Sequence, residues 1–353
     1  MSQNAARFFL GANSKSGFYS LYDGFTDPAA GDFLWVLKGG PGCGKSTFMK
    51  RIGEAGEDAG EEVEYIHCSG DPDSLDGVYL PQRHVAYVDG TAPHMIEAVY
   101  PGAASLYLDL GSFFDAGALS AHLTEIADLN RRYKALYGDA YARLAAGAAL
   151  LPKNAPNLCG TVQMEKIEKK LAGVAARELP RQRKGAKVKR RFLSAWSCKG
   201  RLTLTDTLRT CAQRIYLLDN ELGLGHVYLE RLAGIAAERG YDVILCPDPL
   251  EPEKIEALIL PERGLAFYAA EKGSAALIES YRHIRLDALA EPEDKPALRQ
   301  RRRESNVLLS AAEVSLAQAK SLHDTLEEIY HPHVDFAGVS ALAEDHIGWL
   351  FGA

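Results

Sequence analysis

Short apolar runs alternate with longer amphipathic stretches along most of the 353-residue chain. The apolar runs have the length of buried strands, and the amphipathic stretches repeat with the period of a helix. This order predicts parallel βαβ units and an α/β fold. The predicted strands occupy 33–38, 63–68, 84–88, 105–110, 214–218, 242–246, 264–268 and 283–289, and the predicted helices occupy 45–59, 117–149, 161–178, 226–239 and 296–329.

The pattern of the first half of the chain recurs in the second half. Residues 71–90 align without a gap on 251–270, at an offset of 180. A glycine-centred pair of predicted short strands at 7–25 aligns on 190–208, at an offset of 183. Two similar blocks in the same order indicate a duplicated unit. We therefore predict two domains, which occupy residues 1–183 and 184–353.

The segment GGPGCGKS at 39–46 lies between a predicted strand and a predicted helix, and it fits the phosphate-binding pattern G-x-x-x-x-G-K-[ST]. Its glycines allow positive φ angles, so that successive amide groups can turn towards an anion. The helix that follows adds its positive N-terminal dipole. Lys45 supplies the charge that would reach the β- and γ-phosphates. We expect nucleotide contacts from Gly39, Gly40, Pro41, Gly42, Cys43, Gly44, Lys45, Ser46 and Thr47.

A nucleotide site of this kind also needs groups for Mg²⁺ and for the reaction. Ser46 offers a hydroxyl to the metal, and Asp89 ends a predicted buried strand, where the metal carboxylate is expected. The alternative is that Asp89 only caps a turn. His67 and the acidic residues at 71–73 are candidates for positioning water or a second substrate, or else they are turn residues. The predicted catalytic residues are Lys45, Asp89 and His67.

The second copy carries a loop at the equivalent place that lacks these groups. At the offset of 180, the lysine, the metal hydroxyl and the metal carboxylate are replaced by Gly225, His226 and Ala269. A one-residue slip places His226 against the lysine instead, and the lysine is missing in either register. Glu221 would bring a negative charge towards a phosphate, and His94 occurs only in the first copy. We predict that the second copy neither hydrolyses nor binds nucleotide.

Four motifs occur together in this chain: GGPGCGKSTFMKRI, VEYIHCSGDPDSLDGVYLP, HVAYVDGTAPH and RFLSAWSCKGRLTLTDTL. In combination they resemble a bacterial family of tandem P-loop ATPase-like proteins, and the resemblance covers most of both repeats. It implies ATP binding and an α/β fold of two tandem P-loop NTPase-like repeats, each a three-layer α/β/α sandwich. In that family the second copy often keeps a recognisable P-loop, whereas this chain has a degenerate one.

Composition and charge restrict the class of partner. The net charge of −7 gives the whole molecule no general attraction for nucleic acid or an anionic membrane. We find neither a signal-peptide pattern nor an apolar run of about eighteen residues, which would cross a membrane. The six cysteines show no zinc spacing and no CxxC pair, so they are expected to be reduced thiols. These features favour a cytoplasmic location.

Two polar segments have alternative interpretations. The run RQRKGAKVKRR at 181–191 holds seven basic residues and no acid, and we interpret it as a linker between the domains. It could instead bind nucleic acid or an acidic or phosphorylated partner, or bring an arginine to the γ-phosphate. His331, His333 and Asp335 alternate along YHPHVDF, where a turn that ends a helix is favoured over a metal site.

Three functions fit these observations. The preferred one is a P-loop NTPase that binds ATP and Mg²⁺ at a single working site and hydrolyses ATP, with a structural or regulatory second repeat. The alternatives are a P-loop kinase acting on a small molecule or nucleotide, and a non-catalytic ATP-sensing module. The sequence has no N-K-x-D signature for guanine, which favours ATP over GTP. No glutamate follows Asp89 to activate water, and this absence weighs towards the two alternatives.

Overall fold

The computed structural model of the chain describes residues 5–91, 96–151, 159–182, 184–271, 278–290 and 295–352. Within these ranges the protein has an α/β fold with two similar six-stranded mixed sheets, each accompanied by helices. The chain divides into two compact units, neither of which is one continuous segment. Unit 1 comprises Met1–Ala142, Ala195–Leu202 and Ala311–Ala353, and unit 2 comprises Arg143–Ser194 and Thr203–Ser310.

The first half of the chain forms the sheet of unit 1. Its strands are β1 (Ala5–Phe9), β2 (Gly11–Ser14), β3 (Gly17–Ser20), β4 (Phe33–Lys38), β5 (Val63–His67), β6 (Leu75–Leu80), β7 (Val85–Asp89) and β8 (Ser105–Asp109). Six of them form a sheet in the order β1-β5-β6-β7-β4-β8, and β2 pairs separately with β3. Strand β4 is parallel to both of its neighbours, whereas β6 is antiparallel to both of its own.

The second half forms a sheet with the same order of equivalent strands. Its strands are β9 (Val188–Arg190), β10 (Ser194–Ser197), β11 (Gly200–Thr203), β12 (Arg214–Asp219), β13 (Val243–Pro247), β14 (Ile255–Leu260), β15 (Leu265–Ala270) and β16 (Arg282–Ile284). The order is β16-β12-β15-β14-β13-β9, and β14 is again antiparallel to its neighbours. The predicted duplication is therefore visible in the topology, strand by strand.

Strand β6 and its counterpart β14 were absent from the strands predicted from sequence, so the expectation of parallel units alone was wrong. The first of them contains Asp76 and Gly77, which are typical of turns. Both residues have partners inside the fold, because Asp76 accepts a hydrogen bond of 2.8 Å from the Tyr22 hydroxyl and Gly77 lies against the Phe25 ring. Burial with a partner overrides local propensity here.

Helices pack on both sheets. The described α-helices are α1 (Lys45–Asp58), α2 (Ala116–Ser120), α3 (Leu123–Leu150), α4 (Thr161–Glu178), α5 (Thr205–Cys211), α6 (Leu224–Glu238), α7 (Lys295–Tyr330) and α8 (Phe336–Phe351). In unit 1, α1 lies on the sheet and its side chains Phe48, Met49 and Ile52 are in the core. The opposite face is covered near Gly77 by the segment 21–32, which contains short 3₁₀ turns. None of the helices in the described ranges is long and apolar enough to cross a membrane.

Each unit includes a helix from the other half of the sequence. Helix α4 ends the first repeat, yet it packs on α6 in the core of unit 2. Helix α8 ends the second repeat, yet it packs on α1 in the core of unit 1. The sequence division at 183/184 follows the repeat along the chain, whereas the compact units exchange their terminal helices.

Candidate functional site

The first loop, residues 39–44, connects β4 to α1 in the strand–loop–helix setting that its sequence predicts. Gly42 and Gly44 have φ angles of 66° and 90°, which residues with a Cβ rarely adopt. A Cβ at Gly39 would lie 2.6 Å from the Cys43 sulfur, so the loop closes on itself only with glycine there. The helix N-terminus and the loop amides therefore lie together at the carboxyl edge of the sheet.

Lys45 and Asp89 meet beside this loop. Because β4 and β7 are neighbours and Leu37 pairs with Asp89, the carboxylate lies at the same sheet edge as the loop. The Lys45 Nζ atom is 3.6 Å from Asp89 Oδ2, with 10% and 15% of the two side chains exposed. It also donates hydrogen bonds to the carbonyl oxygens of Gly39, at 3.1 Å, and Gly40, at 2.8 Å. The two residues predicted from distant parts of the sequence thus form one largely buried ion pair.

The two predicted metal ligands are held by backbone groups. The Ser46 hydroxyl oxygen accepts a hydrogen bond of 2.9 Å from the Leu75 amide at the start of β6. Asp89 Oδ1 accepts hydrogen bonds from the amide and the hydroxyl of Thr91, at 2.8 and 2.6 Å. Asp89 therefore caps a turn, as its alternative interpretation states, and at the same time aims its other oxygen at Lys45.

Three further residues that the sequence predicts to contact nucleotide lie in the first loop or at the start of α1. Pro41 is half-buried, and Thr47 is exposed in the first turn of α1. The Cys43 side chain is buried below the loop, and burial raises the pKa of its thiol. It is therefore held as a neutral thiol, packed in the core with Leu37 and Leu110.

His67 is held by groups outside the first loop. Its Nδ1 atom lies 2.7 Å from the Pro72 carbonyl oxygen, and Arg7 Nη1 lies 3.5 Å from its Nε2 atom. Burial lowers the pKa of His67, so the neutral ring is favoured. These contacts hold the His67 ring at the end of β5, and none of them is with Lys45, Asp89 or the first loop. His94 lies outside the described residues.

Lysine side chains form ion pairs with the acidic residues of the loop that follows β5. Asp71 Oδ2 lies 3.4 Å from Lys320 Nζ, and Asp73 Oδ2 lies 2.5 Å from Lys199 Nζ. The hydrogen bond from Lys199 is the main cause of a lowered pKa for Asp73. Lys50 also donates to the Asp73 carbonyl oxygen, at 2.7 Å. This geometry agrees with the interpretation of 71–73 as a turn that is anchored by ion pairs.

Helix α7 reaches the first loop, which the sequence analysis did not predict. A Cβ at Gly42 would lie 2.8 Å from the His331 ring and 3.3 Å from the Glu327 Cβ atom. Gly40 lies against Tyr330 at 3.3 Å by the same measure. His323 and Glu327 are four residues apart on α7, which places them on one side of the helix, and His331 comes another four residues on, in the 3₁₀ turn that follows. That spacing is the signal that could have pointed to this face. His331–His333 forms the predicted turn.

A group with metal-ligating atoms occurs on the same helix. One ligand atom each from His323, Asp324 and Glu327 lies within 4.8 Å of the others. Lys320 forms an ion pair with Asp324, so a positive charge already occupies one of these carboxylates. The set is a weaker candidate for a cation than Ser46 and Asp89.

The second loop, Asn220–Gly223, connects β12 to α6 and has four residues, compared with six in the first loop. The Glu221 and Leu222 amides donate hydrogen bonds to the Asp287 carboxylate, at 2.9 and 3.2 Å. A carboxylate of the chain thus occupies amides that face an anion in a phosphate-binding loop. Glu221 itself forms an ion pair with Arg302.

Two contacts beside the first loop have counterparts behind the second loop, where different side chains make them. A Cβ at Gly225 would lie 2.8 Å from the Ala269 Cβ atom, so these two residues pack together where Lys45 and Asp89 form an ion pair. His226 Nδ1 lies 2.7 Å from the Ile255 carbonyl oxygen, at the place of the contact between Ser46 and Leu75. These contacts follow the offset of 180. The strand itself is shifted by one residue, because Leu218 pairs with Ala269 as Leu37 pairs with Asp89.

The basic segment at 181–191 is partly built into unit 2. Its last part forms β9, an edge strand, and Arg191 is fully buried. Lys184 forms ion pairs with Asp242 and Glu262. The interpretation of the whole run as a linker was therefore wrong for 188–190, whose backbone is a strand of the sheet.

Comparison with known proteins identifies no family for this chain, because no family model, no curated protein and no solved structure matches it.

Proposed function

We propose that the protein is a P-loop NTPase that binds ATP with Mg²⁺ at the first loop and hydrolyses it. The observation that carries the proposal is the largely buried pair of Lys45 and Asp89 beside a loop with two left-handed glycines at a helix N-terminus. Amide donors, an ammonium, a hydroxyl and a carboxylate are the groups that a nucleotide with Mg²⁺ requires. We also propose that the chain belongs to the tandem P-loop family that its motifs resemble, and that the protein is cytoplasmic.

The residues present fit a triphosphate with its metal. Lys45 now donates to two carbonyl oxygens of the loop, and the same three-donor ammonium can turn to phosphate oxygens. Asp89 Oδ2, released from Lys45, and the Ser46 hydroxyl would then hold Mg²⁺. The metal, when bound, neutralises charge on the β- and γ-phosphate oxygens.

The second repeat has a structural role in this proposal. Asp287 occupies the amides of the second loop, and Gly225 packs on Ala269 where a lysine would have to stand. Both features oppose phosphate binding, the first by charge and the second by space. One nucleotide per chain is therefore expected.

Binding of ATP with Mg²⁺, measured by calorimetry, tests this proposal on the wild type and on Lys45→Ala. We expect Lys45→Ala to weaken binding roughly 10- to 150-fold, because a hydrogen bond to a charged group contributes about 1.5–3 kcal/mol. Lys50→Ala is the matched control, since Lys50 lies on the same helix and donates its hydrogen bond to Asp73 in the 71–73 turn. Equal binding by wild type and Lys45→Ala, or no binding by wild type, would contradict the proposal.

The same preparations separate hydrolysis from its two alternatives. Release of ADP without an acceptor supports hydrolysis. Release that depends on an added hydroxyl compound supports a kinase, and binding with no release under either condition supports a sensing module.

A further inference from the structure

The end of α7 presents a polar row to the first loop. The Glu327 Cβ atom and the ring of His331, in the turn after α7, lie beside Gly42, and Lys320 lies two helical turns before Glu327, where it pairs with Asp71. His323 Nδ1 is 3.8 Å from Glu327 Oε1. The row therefore runs from the glycine-rich turn of the loop towards the 71–73 turn that follows β5.

The Glu327 side chain begins beside the first loop, and His323 lies one helical turn before it on α7. Burial lowers the pKa of His323, so the neutral ring is favoured, although the charge of Glu327 acts in the opposite direction. About a third of each side chain of the pair remains exposed, 31% for His323 and 32% for Glu327. The Glu327 side chain therefore starts at the loop and is accessible to water.

Hydrolysis needs a group that orients and deprotonates the attacking water. In many ATPases with this loop a glutamate directly after the metal aspartate serves this purpose, but Gly90 follows Asp89 here. Asp89 itself is engaged by Thr91 and Lys45, and His67 by Pro72 and Arg7. The Glu327 side chain begins beside the loop, and about a third of it is exposed.

We propose that Glu327 activates the water that attacks the γ-phosphorus at the first loop. This inference rests on the proposed function. The water oxygen forms a bond to the γ-phosphorus, and the bond from that phosphorus to the β,γ-bridging oxygen breaks. ADP leaves with the bonding electron pair. The proton taken from water passes to Glu327 and then to the released phosphate.

The test compares Glu327→Gln with Glu328→Gln in the full chain. The substitution Glu327→Gln keeps the size of the side chain and removes the base, so we expect turnover of ATP to fall about 100-fold or more, while calorimetric binding of ATP with Mg²⁺ changes less than about threefold. Glu328 is the next residue of the same helix and is exposed, and its substitution should leave both quantities unchanged. Retained binding also reports that the variant is folded.

The outcomes separate this inference from the proposed function. If Glu327→Gln turns over ATP at the wild-type rate, or if the wild type binds ATP but needs an acceptor for turnover, the role of Glu327 is overturned and the nucleotide site stands. If wild type binds no ATP, or if Lys45→Ala binds as well as wild type, the nucleotide site itself is overturned.

Discussion

At the scale of single residues, the two copies differ by matched pairs of side chains. The ion pair of Lys45 and Asp89 corresponds to the contact between Gly225 and Ala269, in which two small residues fill the same position. Losing the lysine alone would have left a carboxylate without its partner in a largely buried place, which is costly. The paired replacement avoids that cost, and it also removes the space that a phosphate-binding lysine needs.

This packing predicts opposite effects for the same substitution at two positions of α6. Gly225→Ala would place a methyl group 2.8 Å from Ala269 Cβ and 3.1 Å from the Asp219 carbonyl oxygen, so it should lower the free energy of unfolding by about 1–3 kcal/mol. Gly234→Ala meets nothing within 4 Å and should raise it by up to about 1 kcal/mol, because alanine favours the helix. Denaturant unfolding measures both, and a stabilised Gly225→Ala would show that the second loop has room for a side chain.

At the scale of elements, the strand, loop and helix around Lys45 could be predicted because their signals are local. The sequence alone contains the apolar run of β4, the glycines that need positive φ, and the amphipathic period of α1. Strand β6 was missed because its Asp76 is satisfied by a tyrosine 54 positions earlier in the chain. Glu327 was missed for the same reason, since its proximity to Gly42 follows from packing between distant segments.

The short 3₁₀ turn at Asp287–Leu289 carries the carboxylate that fills the second loop. Burial raises the pKa of Asp287 above its usual value of 3.8, against the two amides that lower it. A raised pKa means that the folded protein binds the proton more readily than the unfolded chain does. The contribution of this group to stability is therefore complete below pH 3.8 and is lost as the pH rises through the raised pKa.

Asp287→Asn tests this element, because it keeps an acceptor oxygen for the two amides and removes the titration. We expect the free energy of unfolding of wild type to increase relative to that of Asp287→Asn as the pH falls from about 7 towards about 4. Asp287→Ala removes the acceptor as well, and should be about 0.5–2 kcal/mol less stable than Asp287→Asn, as at a helix N-cap. A difference between wild type and Asp287→Asn that does not vary with pH would contradict the burial of this charge.

At the scale of the whole molecule, the duplication and the exchange of helices impose different divisions on the chain. The repeat could be read from the sequence because 71–90 and 251–270 align without a gap. The exchange could not, because α4 and α8 are amphipathic helices whose sequences do not specify which sheet they cover. In unit 1, α8 contributes Val339, Ala343 and Leu350 to the core that contains α1.

The exchange predicts that neither half of the chain folds when it is expressed alone. A fragment of residues 1–183 lacks α8, and a fragment of residues 184–353 lacks α4, so each leaves apolar core surface uncovered. Burial of one Val or Leu side chain contributes about 1.5–3 kcal/mol, so losing a whole helix removes an amount comparable to a domain's total stability of about 5–15 kcal/mol. We expect each fragment to aggregate or to unfold without a cooperative transition. Co-expression of the two fragments should yield a complex that unfolds cooperatively and binds ATP with Mg²⁺.

The control is the same complex with Leu350→Ala in the second fragment, which should be less stable by about 2–5 kcal/mol. A fragment 1–183 that is monomeric, unfolds cooperatively and binds ATP by itself would mean that α8 is dispensable for unit 1, and that the nucleotide site belongs to the first repeat alone.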